Sequence, residues 1–155
     1  MGFGAGVVGN AMMYPKMDDR KSEELMYSAL SHNIEMIDTA YLYGMGRSEE
    51  LIGEVIHKQG VRAQLILSNQ ASPNPQFGEA WLEVDNSPSA LREAVDDSLK
   101  RLKTDYIDIF YLHFPNSSTP LLEAAFTLAQ LKKSGLLVLL ISISSSFKSL
   151  IKKAI

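Results

Sequence analysis

Three side chains that transfer protons follow two apolar segments of the chain. Asp38 closes the apolar segment 34–38, Tyr43 follows in the next loop, and His113 closes the apolar segment 106–113. A carboxylate, a phenol and an imidazole are the usual groups of general acid–base catalysis. In parallel α/β folds, functional sites form at the carboxyl ends of strands, so we expect these three side chains to lie at one site.

Each of these residues also has an ordinary structural interpretation. Asp38 is typical of a turn or cap at a strand end, Tyr43 of a packed loop aromatic, and His113 of a packing residue. Their placement after neighbouring strands is what favours a shared function over three separate structural roles.

Alternating strand-like and helix-like segments must position these side chains. The predicted strands are 2–8, 34–38, 64–68, 106–113 and 136–144; the predicted helices lie within 14–33, over 47–59, from Ser87-Pro88 onward, from Thr119-Pro120 to Lys133, and within 147–154. Residues 69–88 hold three prolines and predict a long irregular loop. Apolar strands separated by helices predict an α/β fold with a parallel sheet. Periodicity does not choose between an open doubly wound sheet and part of a barrel.

The helical stripes indicate which side chains face the core. Leu25, Ala29 and Leu30 share one face of the first helix, and Leu51, Val55 and Ile56 share one face of the second. In the third helix the stripe is Leu91, Val95, Leu99 and Leu102.

The glycines at positions 4, 6 and 9 match the G-x-G-x-x-G dinucleotide pattern. That motif needs a strand before its first glycine and a helix near its last. Only three residues precede Gly4, and the segment 10–15 is a poor helix start. We interpret the glycines as part of a strand lining a crowded interior.

Composition narrows the function classes further. The chain has 155 residues, a formal net charge of −3 and no cysteine, which favours one domain without disulfides or cysteine-based metal sites. The charge gives no reason to expect nucleic acid or an anionic membrane as a partner. The longest apolar stretch, 136–141, is too short to span a bilayer, and we expect a cytoplasmic protein that binds no metal.

Three segments resemble the aldo-keto reductase family: IDTAYLYGMGRSEELIGE (37–54), SLKRLKTDYIDIFYLH (98–113) and SISSSFKSLIKKAI (142–155). The resemblance covers essentially the whole chain. It implies a (β/α)8 barrel that reduces an aldehyde or ketone with NADP(H), or NAD(H), bound extended and without a Rossmann fold. A complete barrel needs about 250 residues, so we expect residues 1–155 to form one partial (β/α)8 TIM-barrel domain, the first five βα units in parallel order.

The resemblance also implies a role for each matching residue. Tyr43 matches the proton donor to the carbonyl oxygen, Asp38 the acidic residue of the catalytic tetrad, and His113 the histidine that orients the carbonyl. The residues that match the nicotinamide site are Ala5, Gly6, Asp38, Ser144 and Ser145.

Asn69 is the clearest departure from the family pattern. It aligns with the family's lysine, whose ammonium pairs with the aspartate and lowers the pKa of a neighbouring phenol. Asn69 donates a hydrogen bond but brings no charge, and residues 59–99 contain no lysine. We therefore expect Asn69 to lie at the catalytic site with Asp38, Tyr43 and His113, and the reaction to be slowed by this change and by the missing last three strands.

Three interpretations remain open. The chain is an impaired oxidoreductase acting on a small carbonyl compound, a non-catalytic relative or interaction module, or a fragment that does not fold alone. The apolar segment 136–140 fits a fully buried parallel strand. It also fits an open sheet edge that pairs with a second copy to give a homo-oligomer.

Overall fold

A five-stranded parallel sheet is the frame of the molecule. The computed structural model describes residues 1–9, 17–71, 76–77, 82–114 and 118–142. The strands are β1 (Gly2–Gly4), β2 (Met36–Asp38), β3 (Ile66–Ala71), β4 (Gln76–Phe77), β5 (Leu82–Glu83), β6 (Ile107–Leu112) and β7 (Leu137–Ser142). The helices are α1 (Asp19–Ser31), α2 (Arg47–Gln59), α3 (Pro88–Leu102) and α4 (Leu121–Lys133).

Strand order settles which parallel architecture the chain adopts. The sheet runs β1-β2-β3-β6-β7 with every pair parallel, while β4 and β5 form a separate antiparallel pair. A doubly wound sheet reverses its strand order at a switch point, and this sheet does not. Sequential parallel strands with right-handed crossovers place their helices on one face, which is the arrangement of the first strands of a (β/α)8 barrel.

Helix α2 follows the prediction because its sequence signals agree with one another. Leu51, Val55 and Ile56 are at most 2% exposed, as the stripe predicts. Gly60 ends the helix in the left-handed conformation, with φ of 64°. In α3 the predicted stripe is also buried, and Ser87 caps the first turn by accepting a hydrogen bond from the backbone N–H of Ala90.

Helix α1 turns the predicted side to the core but buries that side only in part. Leu25, Ala29 and Leu30 are only half-buried, whereas Ser22 and Met26 are fully buried. The apolar stripe is incomplete in this helix, so packing against α2 determines its orientation.

The first glycine-rich segment is shorter as a strand than predicted. Strand β1 ends at Gly4, and Ala5–Val7 forms a 3-10 turn instead of continuing to residue 8. A Cβ atom on Gly4 would meet nothing within 4 Å, so the interior is not crowded there. Gly9 is the crowded position: its Cβ would lie 2.4 Å from the backbone nitrogen of Ser48, and its carbonyl oxygen lies 1.6 Å from the Cβ position of Gly44.

Strand β3 extends into the segment predicted as a loop. It covers 66–71 rather than 64–68, because Asn69, Gln70 and Ala71 pair with the backbone of β6. The polar residues after Leu67 resemble a loop in composition, but the parallel ladder gives their backbone groups partners.

The last described strand is not buried throughout. Leu137 is 2% exposed, but Val138 is 51% exposed. Among the residues described, β7 pairs with β6 alone, so the fully buried interpretation fails at Val138. The predicted fifth helix, within 147–154, lies outside the described residues. In the described part of the chain, no helix is long and apolar enough to cross a membrane.

Candidate active site

Asp38 is held by two neutral hydrogen-bond donors from the neighbouring strand. It ends β2, where its Cα lies opposite Gly4 of β1 and Ser68 of β3. The Ser68 hydroxyl donates to Asp38 Oδ1, and Gln70 Nε2 donates to Asp38 Oδ2 over 3.3 Å. Side chains two residues apart on a strand point to the same face, which is why Ser68 and Gln70 both reach this carboxylate.

Asn69 points to the face of β3 opposite Ser68 and Gln70, and its predicted role at the catalytic site stays a prediction. Its Nδ2 donates to Glu49 Oε1 over 2.8 Å, and its Oδ1 accepts from the backbone N–H of Gln70 over 2.8 Å. Asn69 is fully buried. The alternation of side chains along the strand directs it toward α2, whichever family position it aligns with.

Tyr43 lies in the loop between β2 and α2, which we call the Tyr43 loop (residues 40–46). The half-buried tyrosine donates its backbone N–H to the Ala40 carbonyl over 3.0 Å, and its own carbonyl accepts from the N–H of Ser48 over 3.1 Å. A further bond of 2.7 Å runs from the N–H of Gly46 to the carbonyl of Tyr41. These bonds close the loop at the carboxyl end of β2, the same end of the sheet as Asp38.

Ser48 connects the base of the Tyr43 loop to the turn that follows β1. The buried hydroxyls of Thr39 and Ser48 lie 3.0 Å apart, and Ser48 Oγ donates to the carbonyl of Ala5 over 3.4 Å. Gly44, with φ of +68°, contacts the backbone of Gly9 so closely that a side chain at either glycine would collide with the other segment. The last glycine of the G-x-G-x-x-G pattern therefore makes room for this loop.

His113 follows β6 at the same end of the sheet. Its ring stacks on Phe114 with centroids 4.3 Å apart. Burial lowers the pKa of His113, and the negative charge of Asp38 opposes that shift. The imidazole is therefore neutral near pH 7, with one ring nitrogen as donor and the other as acceptor, and it lies within the electrostatic reach of Asp38.

The predicted nicotinamide residues are only partly described. Ala5 is fully buried and Gly6 is half-buried at the end of β1. Ser144 and Ser145 lie outside the described residues. A Cβ atom on Gly4, whose Cα lies opposite that of Asp38, would meet nothing within 4 Å, so the space over this residue is open.

Four residues around this site were not anticipated from the sequence: Ser68, Gln70, Glu49 and Arg101. Glu49 is fully buried and accepts from Arg101 Nε over 2.7 Å, as well as from Asn69. The spacing of apolar residues in α2 indicates the burial of Glu49, because this residue shares a face of the helix with the buried Ile52 and Ile56. Within the described ranges, no three His, Asp or Glu side chains are grouped to hold a metal ion.

Comparison with known proteins agrees with this geometry. The family model described as the aldo/keto reductase family matches residues 1–154. Aldo-keto reductase YhdN of Bacillus subtilis is 34% identical over 135 residues, which cover 87% of this chain and 40% of that protein. Aldo-keto reductase yakc [NADP(+)] of Schizosaccharomyces pombe is 30% identical over 135 residues, covering 86% of this chain and 39% of that one.

A solved structure shows the same arrangement of elements. The glycerol dehydrogenase of Gluconobacter oxydans matches with a TM-score of 0.85 at 26% identity, over 99% of this chain and 48% of that one. The chain thus spans less than half the length of the relatives it matches. The family model, the relatives and the fold agree, and the chain belongs to the aldo-keto reductase family.

Proposed function

We propose that the chain supplies the acid–base part of an NAD(P)H-dependent reduction of a small aldehyde or ketone. The observation that carries the proposal is the placement of Asp38 at the end of β2 and of His113 directly after β6, both at the carboxyl end of the parallel sheet, beside the loop that holds Tyr43. In this reaction the Tyr43 hydroxyl donates a proton to the carbonyl oxygen, and His113 donates an N–H hydrogen bond to the same oxygen.

The described residues that we propose for the nicotinamide end of the cofactor are Ala5, Gly6 and Asp38. The open space over Gly4, which precedes Ala5 and pairs with Asp38, supports this assignment, and Ser144 and Ser145 are the proposed partners of the carboxamide. When bound, the reduced nicotinamide supplies the hydride for the carbonyl carbon. The yakc relative carries NADP(+) in its name, which supports NADP(H) over NAD(H) as the proposed cofactor of this chain.

The partners of Asp38 indicate a slow reaction. Ser68 and Gln70 give this carboxylate hydrogen bonds but no positive charge. A cation near a phenol stabilises the phenolate and makes the phenol a better acid, and neither of these donors is one. We infer that proton donation by Tyr43 operates here without that assistance.

Replacing the proposed acid tests the proposal directly. In Tyr43→Phe we expect the oxidation of NADPH by a reactive aldehyde, followed by absorbance, to fall by about 10²- to 10⁴-fold because the proton donor is gone. Tyr27→Phe removes a hydroxyl from α1, away from the site, and serves as the matched control. Equal rates for Tyr43→Phe and the unaltered chain would show that Tyr43 is not the acid.

A second candidate function is that of a non-catalytic module that pairs through β7. The exposed Val138 on the end strand of the described sheet favours it, since an uncovered strand edge is a template for another chain. This version predicts a dimer by light scattering and a monomer for Val138→Lys, with no turnover in either. An unaltered chain that stays monomeric at high concentration would contradict pairing of two chains through β7.

A further inference from the structure

We infer that Glu49, Asn69 and Arg101 form a buried positioning network that fixes the Tyr43 loop relative to Asp38. The inference rests on the proposed role of Tyr43 as the proton donor. Its structural basis is a fully buried carboxylate, Glu49, that accepts from two donors on different elements: Arg101 of α3 over 2.7 Å and Asn69 of β3 over 2.8 Å.

Arg101 contacts both ends of the Tyr43 loop. Its guanidinium lies over the ring of Tyr41, 5.0 Å from the ring centroid. At the other end, the Cβ position of Gly46 lies 2.9 Å from Arg101 Cδ, so a side chain at this position would displace the arginine. Gly46 has φ of +94°, a conformation that also favours glycine. The arginine side chain therefore covers the loop from Tyr41 to Gly46.

Glu49 fixes the direction of that arginine. It lies in the first turn of α2, one turn after Gly46, where a carboxylate also suits the helix dipole. The Arg101 side chain is 20% exposed and Glu49 is 0% exposed, so water competes little for this ion pair. A planar guanidinium held through Nε has one preferred orientation, and that orientation places it over Tyr41.

Asn69 connects this network to β3, the strand whose side chains donate hydrogen bonds to Asp38. Its Nδ2 donates to Glu49, and its Oδ1 accepts from the backbone N–H of Gln70. Gln70 and Ser68, on either side of Asn69, donate to Asp38. The Asn69 amide therefore links α2, the helix that follows the Tyr43 loop, to the donors that orient Asp38, and we expect its replacement to shift both together.

The function of the network is positional, because none of its three members faces the proposed substrate site. A misplacement of about 1 Å costs about 100-fold in rate when reacting groups must be aligned. The network therefore acts on kcat more than on KM, and it acts on the environment of the Tyr43 ring even when no substrate is bound.

The test follows the Tyr43 ring by NMR in the chain labelled with ring-13C tyrosine, with the signal assigned from Tyr43→Phe. Arg101→Lys keeps the charge but loses the Nε contact, and we expect it to shift the Tyr43 signal. The Tyr106 signal is the internal reference, since that ring stacks on Arg62, 3.9 Å from its guanidinium carbon. Arg92→Lys is the matched control on the same helix, where Arg92 is exposed and bonds Gln130.

A rescue experiment exchanges the amide and the carboxylate between positions 69 and 49. Asn69→Asp places a second carboxylate against Glu49 and is expected to shift the Tyr43 signal and to lower kcat about 10- to 100-fold, with KM changed less. Adding Glu49→Gln restores one donor and one acceptor, and is expected to return both readouts toward those of the unaltered chain.

The outcomes separate this inference from the proposed function. An unchanged Tyr43 signal in Arg101→Lys or Asn69→Asp, with circular dichroism showing a folded chain, overturns the positioning role. If Arg101→Lys does not fold, the exchange pair decides, and absence of rescue counts against the network. Absence of turnover in every variant and in the unaltered chain, with the Tyr43 signal still shifting, removes the proposed reaction and leaves the network intact.

Discussion

The two faces of β3 differ in what they do with polar side chains. On one face, Ser68 and Gln70 donate to the half-buried Asp38 and bring no charge. On the other, Asn69 joins an ion pair between α2 and α3 that includes the fully buried Glu49. Polar residues next to one another in sequence thus contact the proposed site on one side and the α2–α3 ion pair on the other. The face of the strand, ahead of the residue type, decides what each of them contacts.

The largest expected effect is a loss of stability when the Asn69 side of β3 loses Glu49, the acceptor of its hydrogen bond. Glu49→Ala leaves Arg101 and Asn69 without their common acceptor in a buried position, and we expect it to lower the free energy of unfolding by about 3 kcal/mol. Glu50→Ala, at the next residue, removes a carboxylate that pairs with a partly exposed Arg47 and is expected to cost less than about 1 kcal/mol. Urea unfolding measures both, and equal losses would contradict the contrast between the faces.

A smaller effect, on the reaction rate, is expected from adding a positive charge on the side of β3 that contacts Asp38. Gln70→Lys extends an ammonium toward Asp38, which Gln70 Nε2 already approaches to 3.3 Å. We expect it to speed NADPH oxidation by about tenfold, because a cation beside the site assists proton donation by a phenol.

Asn69→Lys is the matched variant for that prediction. Its side chain would point to Glu49 and Arg101, so we expect no gain in rate and a loss of stability. A larger gain from Asn69→Lys than from Gln70→Lys would show that our assignment of the two faces is wrong.

The smallest effect is a change in the pH dependence of stability. The pKa of His113 is lower in the folded chain than its ordinary value because of burial, so the unfolded chain binds this proton more readily. The histidine's contribution is present above about pH 6.5 and is lost as the pH falls through the lowered value. We expect unfolding free energies measured across this range to depend less on pH in His113→Gln. The exposed His57, changed to glutamine, is the control, and an equal change there would contradict the prediction.

Much of the fold was predictable where several signals coincide. Helix α2 ends where predicted because its apolar stripe and Gly60 agree, and α3 begins where Ser87 and Pro88 indicate. The end of β3 was not predictable, because the backbone pairing of Asn69 and Gln70 with β6 is a non-local contact that composition does not show.

The places of the candidate residues in the sheet were predictable from the sequence, but the contacts of their side chains were not. Asp38 and His113 lie at the expected end of the sheet because strand ends are readable from the sequence. The direction of Asn69 was not, since a shift of one residue in a strand reverses the face and the aligned motif does not specify it. The pattern of α2 places Glu49 on the buried face of the helix, but its ion pair with Arg101 depends on packing between α2 and α3, which the pattern of one helix does not determine.

The contact between Gly9 and Gly44 has a consequence for how this chain tolerates mutation. Most tight contacts in a protein allow a larger residue on one side if a smaller one replaces its neighbour. Here both residues are already glycine: a Cβ on Gly44 would meet the carbonyl of Gly9, and a Cβ on Gly9 would meet the backbone of Arg47 and Ser48. No exchange between the two positions relieves a substitution at either one. In a saturation library we therefore expect both sites to be intolerant, without compensating pairs.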